Sequence, residues 1–66
     1  MSLLTDAEAA YRQQRAQAKL VGAFHLRQSY RRLYVRVDRN DSIALARLAA
    51  VKDELVIRGV EVPHVG

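Results

Sequence analysis

Asp38, Asn40 and Ser42 alternate within Asp38-Arg39-Asn40-Asp41-Ser42, the spacing at which a calcium loop places its opening oxygens. The pattern then fails. Ile43 occupies the position that needs glycine for the sharp turn, and Ala49 the position that needs a bidentate acid. Turn and helix-capping chemistry account for the same residues, because short polar side chains bond the backbone just ahead of them. His25 and His64 stand far apart, and with zero cysteines the chain has neither a thiolate ligand nor a disulfide. Ser2, Ser29 and Ser42 lie in no nucleophile motif, and the three glycines are too scattered to cradle a phosphate. The sequence therefore predicts a non-enzymatic protein with no catalytic residue, metal, cofactor or small-molecule substrate.

The chemistry that the residues do offer is electrostatic. Nine of the eleven basic residues are arginine, and the formal charge is +4. Arg12, Arg15, Lys19, Arg27, Arg31, Arg32 and Arg36 follow one another with no acidic residue between Tyr11 and Val37. Residues 1–39 carry eight cations and three acids, a balance of +5, whereas residues 40–66 carry three and four, a balance of −1. Such segregation suits a face for phosphate or an acidic protein, and the guanidinium fork binds phosphate bidentately. Tyr30 and Tyr34 interleave with Arg31, Arg32 and Arg36, a pattern able to stack on unpaired bases while the arginines hold the backbone. The predicted nucleic-acid contacts, to DNA or RNA, are therefore those seven cations together with Tyr34.

Thr5-Asp6-Ala7-Glu8 fits a capping box and starts a helix at Asp6. Strong helix formers then continue to about Gln28, with Gly22 alone arguing for a break. Ala9, Ala16, Leu20, Ala23 and Phe24 share one side of that helix, a stripe thin before Leu20, so the first half is expected to lie against a partner or in solvent and the second half to contribute to the core. Leu33, Val35 and Val37 alternate with Tyr34 and Arg36, which predicts a strand over residues 32–37. Leu26, Tyr30, Leu33 and Val37 also obey a helical spacing, which leaves a helical hairpin as the alternative.

Asp41 caps a further helix that runs to about Arg58 and ends at Gly59. This helix is apolar nearly all round. Ala44, Leu48, Val51 and Leu55 form one stripe, Leu45, Ala49 and Val56 a second, and Ile43, Ala46, Ala50 and Ile57 a third, leaving Arg47, Glu54 and Arg58 as the polar wedge. The tail from Val60 to Val65 alternates weakly, and Pro63 restricts any strand there to a sheet edge. The expected fold is a single helix-rich α+β domain: long helix, short strand, second helix, short extended tail.

Leu33-Tyr34-Val35-Arg36-Val37, followed by a helix and Gly59-Val60-Glu61-Val62, resembles the opening strand–helix–strand unit of serine recombinases over about half the chain. Where that family places its nucleophilic serine after the strand, Asp38 stands here. The strand with alternating arginine also resembles that of a ribbon-helix-helix repressor, which implies DNA reading by a paired strand followed by two helices. This chain has room for one.

A 66-residue chain must offset on the order of 100 kcal/mol of ordering entropy with little area to bury. With no disulfide or metal to help, a homo-oligomer or a protein partner is expected, with Leu45, Leu48, Ala49, Leu55 and Val56 as the interface. The longest apolar run, residues 20–24, is too short to span a bilayer, and no secretory leader pattern opens the chain, so no membrane partner is expected and the location is cytoplasmic or within an intracellularly assembled particle. Two functions remain: a small basic module that contacts nucleic acid through its Arg-rich N-terminal half, or a structural or interaction subunit of a larger assembly such as a phage particle or ribonucleoprotein.

Overall fold

The structure, a computed structural model, describes residues 5–64. It holds three helices, α1 (Asp6–Ala18), α2 (Ala23–Arg36) and α3 (Ser42–Ile57), and no strand among the described residues. The α+β expectation is thereby corrected to all-helical. Residues 32–36 belong to α2, and the tail through residue 64 forms no strand, Val65 lying outside the described residues. The strand–helix–strand and ribbon-helix-helix resemblances lose their basis with the strand.

The helix ends follow from local chemistry. Thr5 Oγ1 accepts from the Glu8 amide at 3.1 Å, and Asp41 Oδ1 accepts from the amides of Ile43 and Ala44 at 3.0 and 3.2 Å. Asp38 Oδ1 accepts from the Asn40 amide at 2.9 Å, so both carboxylates of the turn serve the backbone. At the end of α3, Gly59 takes φ 72°, the Gly59 amide bonds Val56 O at 3.0 Å and the Val60 amide bonds Leu55 O at 2.9 Å. This pairing satisfies two orphan carbonyls and folds Val60 back onto the core beside Leu55.

One long helix to Gln28 was expected, but the chain turns at residues 19–22. The Leu20 and Val21 amides reach back only three residues, to Gln17 O and Ala18 O, which tightens the last turn of α1. Gly22 then takes an extended conformation as the N-cap of α2.

Tyr11 beside Asp53, Arg15 beside Glu54 and Ala18 beside Arg58 show that α1 and α3 run in the same direction. α2 returns antiparallel to them along the other flank of α3. Both outer helices pack on α3 and scarcely on each other. The backbone measures 37 × 24 × 14 Å along its principal axes. α3 is the central helix, with α1 and α2 packed against it.

Packing of both helices on α3 fixes the core. Ala18, Leu26, Tyr30, Val51 and Leu55 are buried together, with Val21, Leu33, Tyr34, Leu48, Val60 and Val62 packed around them. In α2 the helical spacing of Leu26, Tyr30, Leu33 and Val37 prevails over the alternation, leaving Val35 73% exposed. In α1 the buried positions are Ala10 and Ala18, whereas Ala9 and Ala16 are exposed and Leu20 and Phe24 are 89% and 68% exposed. The core side expected from Leu20 onward therefore faces out at Leu20 and Phe24. Small residues at Ala10, Ala18 and Ala50 suit a close approach of helix backbones, which a stripe of large side chains would prevent.

Candidate nucleic-acid interface

Five of the seven cations of the uninterrupted basic run fall into two settings. Arg15 lies half-buried on the inner side of α1, with Nη2 3.6 Å from Glu54 Oε1. Glu54 is buried and also takes Arg58 Nε at 2.9 Å. Arg58 completes its fork by donating from Nη1 to Val21 O at 2.7 Å and from Nη2 to Ala18 O at 2.8 Å. It thereby caps the C-terminal end of α1 from a different helix, where carbonyls lack intrahelical donors. Arg15 Nη1 and Glu54 Oε1 make no hydrogen bond, so this half of the network is a charge contact alone. The expected polar wedge of α3 is thus largely interior: Glu54 and Arg58 seal the α1–α3 corner, and Arg15 leaves the set of free cations.

A second polar contact closes the same seam. The Tyr11 hydroxyl donates to Asp53 Oδ2. The bond to Asp53 raises the Tyr11 pKa above 10.0, with partial burial and the Asp53 charge acting in the same direction and Arg15 opposing them.

The other setting is α2. Arg27, Arg31, Arg32 and Arg36 are all exposed, the helix contains no acidic residue, and among the described residues the ion pairs are those of Glu54 with Arg15 and Arg58. Gln28, Arg31, Arg32, Val35 and Arg36 line one open groove, and Phe24, Arg27, Gln28, Arg31 and Pro63 line another. Arg12, on α1, and Lys19, the residue that ends it, are exposed as well. Tyr34 is half-buried against the core, its ring 6.0 Å from that of Tyr30, which is itself buried. Its ring is committed to packing rather than offered to a base. The exposed aromatic ring beside the arginines is Phe24, which sequence reasoning assigned to the core.

The expected interface residues also separate. Leu55 is fully buried and Leu48 half-buried against the core cluster, so these two build the monomer. Leu45, Ala49 and Val56 are exposed along one line of α3, with Lys52 between Ala49 and Val56. His25 and His64 are exposed, and among the described residues no three histidine or acidic side chains gather as a metal site would require. No helix among the described residues is long and apolar enough to cross a membrane. Comparison with known proteins gives no family model, curated protein or solved structure that matches the chain.

Proposed function

We propose that this chain is a small, non-enzymatic basic module that contacts nucleic acid through the outward side of α2, in the cytoplasm or in a particle assembled there. One observation carries the reading: four exposed arginines on a 14-residue helix that has no acid of its own and lends none of them to a carboxylate elsewhere among the described residues. Such a surface carries a positive field that attracts a polyanion or a strongly acidic protein. Arg15 drops out of the contact set, and Tyr34 with it.

Fluorescence anisotropy with labelled oligonucleotides over a salt series tests it. Three to four phosphate contacts give a slope of log affinity against log salt of about −2.7 to −3.6, and replacing Arg31 and Arg32 by Gln flattens it by about 1 to 2. Absence of binding to any DNA or RNA at low salt ends the reading.

A second reading, an interaction subunit of a larger assembly, is favoured by the bare line of Leu45, Ala49 and Val56 on α3, with Ile57 68% exposed nearby. Neither α1 nor α2 covers this line of the central helix. On this reading Ala49→Glu disrupts association while leaving the helix intact, and sedimentation of the unmodified chain as a monomer at all concentrations excludes self-association.

A further inference from the structure

Arginines that merely hold phosphate do not need exposed apolar neighbours, yet the α2 surface has them. Leu26 and Tyr30 mark the side of α2 turned to the core. At about 100° per residue, the side opposite them carries Phe24, Gln28, Arg32 and Val35, with Arg27 and Arg31 along one edge and Arg36 along the other. The accessibility agrees, Phe24 being 68% and Val35 73% exposed. Gln28 and Arg31 border both grooves, so the two form one continuous surface along the helix.

We propose that α2 is a recognition helix for duplex DNA, lying in the major groove with Phe24, Gln28, Arg32 and Val35 toward the base edges and Arg27, Arg31 and Arg36 toward the phosphates on either side. The inference rests on the nucleic-acid reading above and names the duplex form, the groove and the base-reading residues. Charge complementarity selects a polyanion, and three further features select this one.

The first is access. α2 packs mainly on α3, and its far side, with Phe24 and Val35, is exposed along the helix. A B-form major groove is about 12 Å wide and admits an α-helix of roughly 10–12 Å diameter.

The second is side-chain chemistry. Gln28 presents a donor and an acceptor together, matching adenine N6 and N7, and Arg32 presents a fork that matches guanine O6 and N7. Phe24 and Val35 offer apolar contact to the thymine methyl group, which is displayed only in that groove.

The third is charge on both flanks. Arg27 and Arg31 on one edge and Arg36 on the other lie toward the two strands that border a groove. A single strand offers one backbone and no groove. A-form RNA has a major groove too deep and narrow for side chains to read.

Three labelled probes decide the matter: a mixed-sequence DNA duplex, an RNA duplex of the same sequence, and the single DNA strand, followed by selection from a randomised DNA duplex pool. The expected result is preference for the DNA duplex and recovery of a consensus containing A·T pairs. Gln28→Ala should then lower discrimination between consensus and scrambled duplex by about tenfold, leaving affinity for the scrambled duplex unchanged. Arg36→Gln should weaken both alike. Gln28 is exposed, so circular dichroism should find the fold intact. Equal affinity for all three probes, or no recovered consensus, overturns this inference and leaves general phosphate binding standing. Failure to bind any probe overturns both. Phe24→Ala that abolishes self-association without altering DNA affinity also overturns it, because the crest would then be a protein interface.

Discussion

Arg58 and Arg31 are the same residue type in opposite situations. Arg58, with Arg15 beside it, gives its charge to a buried glutamate and spends the rest of its fork on two backbone carbonyls. Arg31 and its three neighbours on α2 pair with no carboxylate among the described residues and lie exposed. An arginine count therefore says little about function until the partners are known. The α1–α3 corner uses guanidinium groups to finish a fold, and α2 leaves them for something outside it.

The contrast breaks most easily at Glu54. Glu54→Ala removes the only acid shared by Arg15 and Arg58 and leaves half-buried cations behind it, which costs about 3 kcal/mol by analogy with other broken buried pairs. Urea unfolding measures this. A loss below about 0.5 kcal/mol would place the corner among ordinary surface ion pairs and dissolve the comparison. Arg58→Lys sharpens it, since an ammonium is a point donor and cannot reproduce the planar fork that spans Glu54, Ala18 and Val21.

What the sequence disclosed divides along similar lines. Start and stop signals acting over three or four residues were legible: Thr5 and Asp41 cap as expected, and Gly59 closes α3. The uninterrupted basic run was legible too, but its division was not, because Arg15 is withdrawn by Glu54, thirty-nine positions away. The break after Ala18 was signalled by Gly22 alone, which caps α2. Residues 6–28 are good helix formers, and the turn at their middle is held by Arg58 from another helix. Residues 32–37 satisfied both periods, and packing on α3 chose the one that buries Leu26, Tyr30 and Leu33 together. Phe24 misled because size suggested burial, whereas the helix phase set by Leu26 and Tyr30 turns it outward.

A smaller effect is expected at Tyr11, which joins the sealed side of the comparison without carrying charge. Tyr11→Phe removes the bond to Asp53 and should cost about 1 kcal/mol near neutral pH. The raised pKa sets the sign of its pH dependence. The unfolded phenol ionises first, near 10.0, so the contribution is fully present below that pH and is lost as pH rises toward the higher folded value. The unmodified protein and Tyr11→Phe should therefore converge in stability above about pH 10. Parallel pH–stability curves would show that the hydroxyl bond contributes nothing.

The smallest stability effect is expected on the open side, and its sign is the informative part. Arg27 with Arg31, and Arg32 with Arg36, are like charges four residues apart on an exposed helix, an arrangement that destabilises by about 0.2–0.5 kcal/mol per pair. Replacing Arg31 and Arg32 by Gln relieves both pairs and keeps helix propensity nearly constant. Folding stability should rise by a few tenths of a kcal/mol at low salt, and the gain should shrink as salt screens the repulsion. The same double variant is the one expected to lose nucleic-acid affinity. A surface that is slightly unfavourable for the fold and favourable for a ligand is the pattern that functional residues leave. Thermal unfolding at low and high ionic strength measures it. A loss of more than about 1 kcal/mol would mean that Arg31 or Arg32 has a structural partner, and α2 would then belong with the sealed corner rather than opposite it.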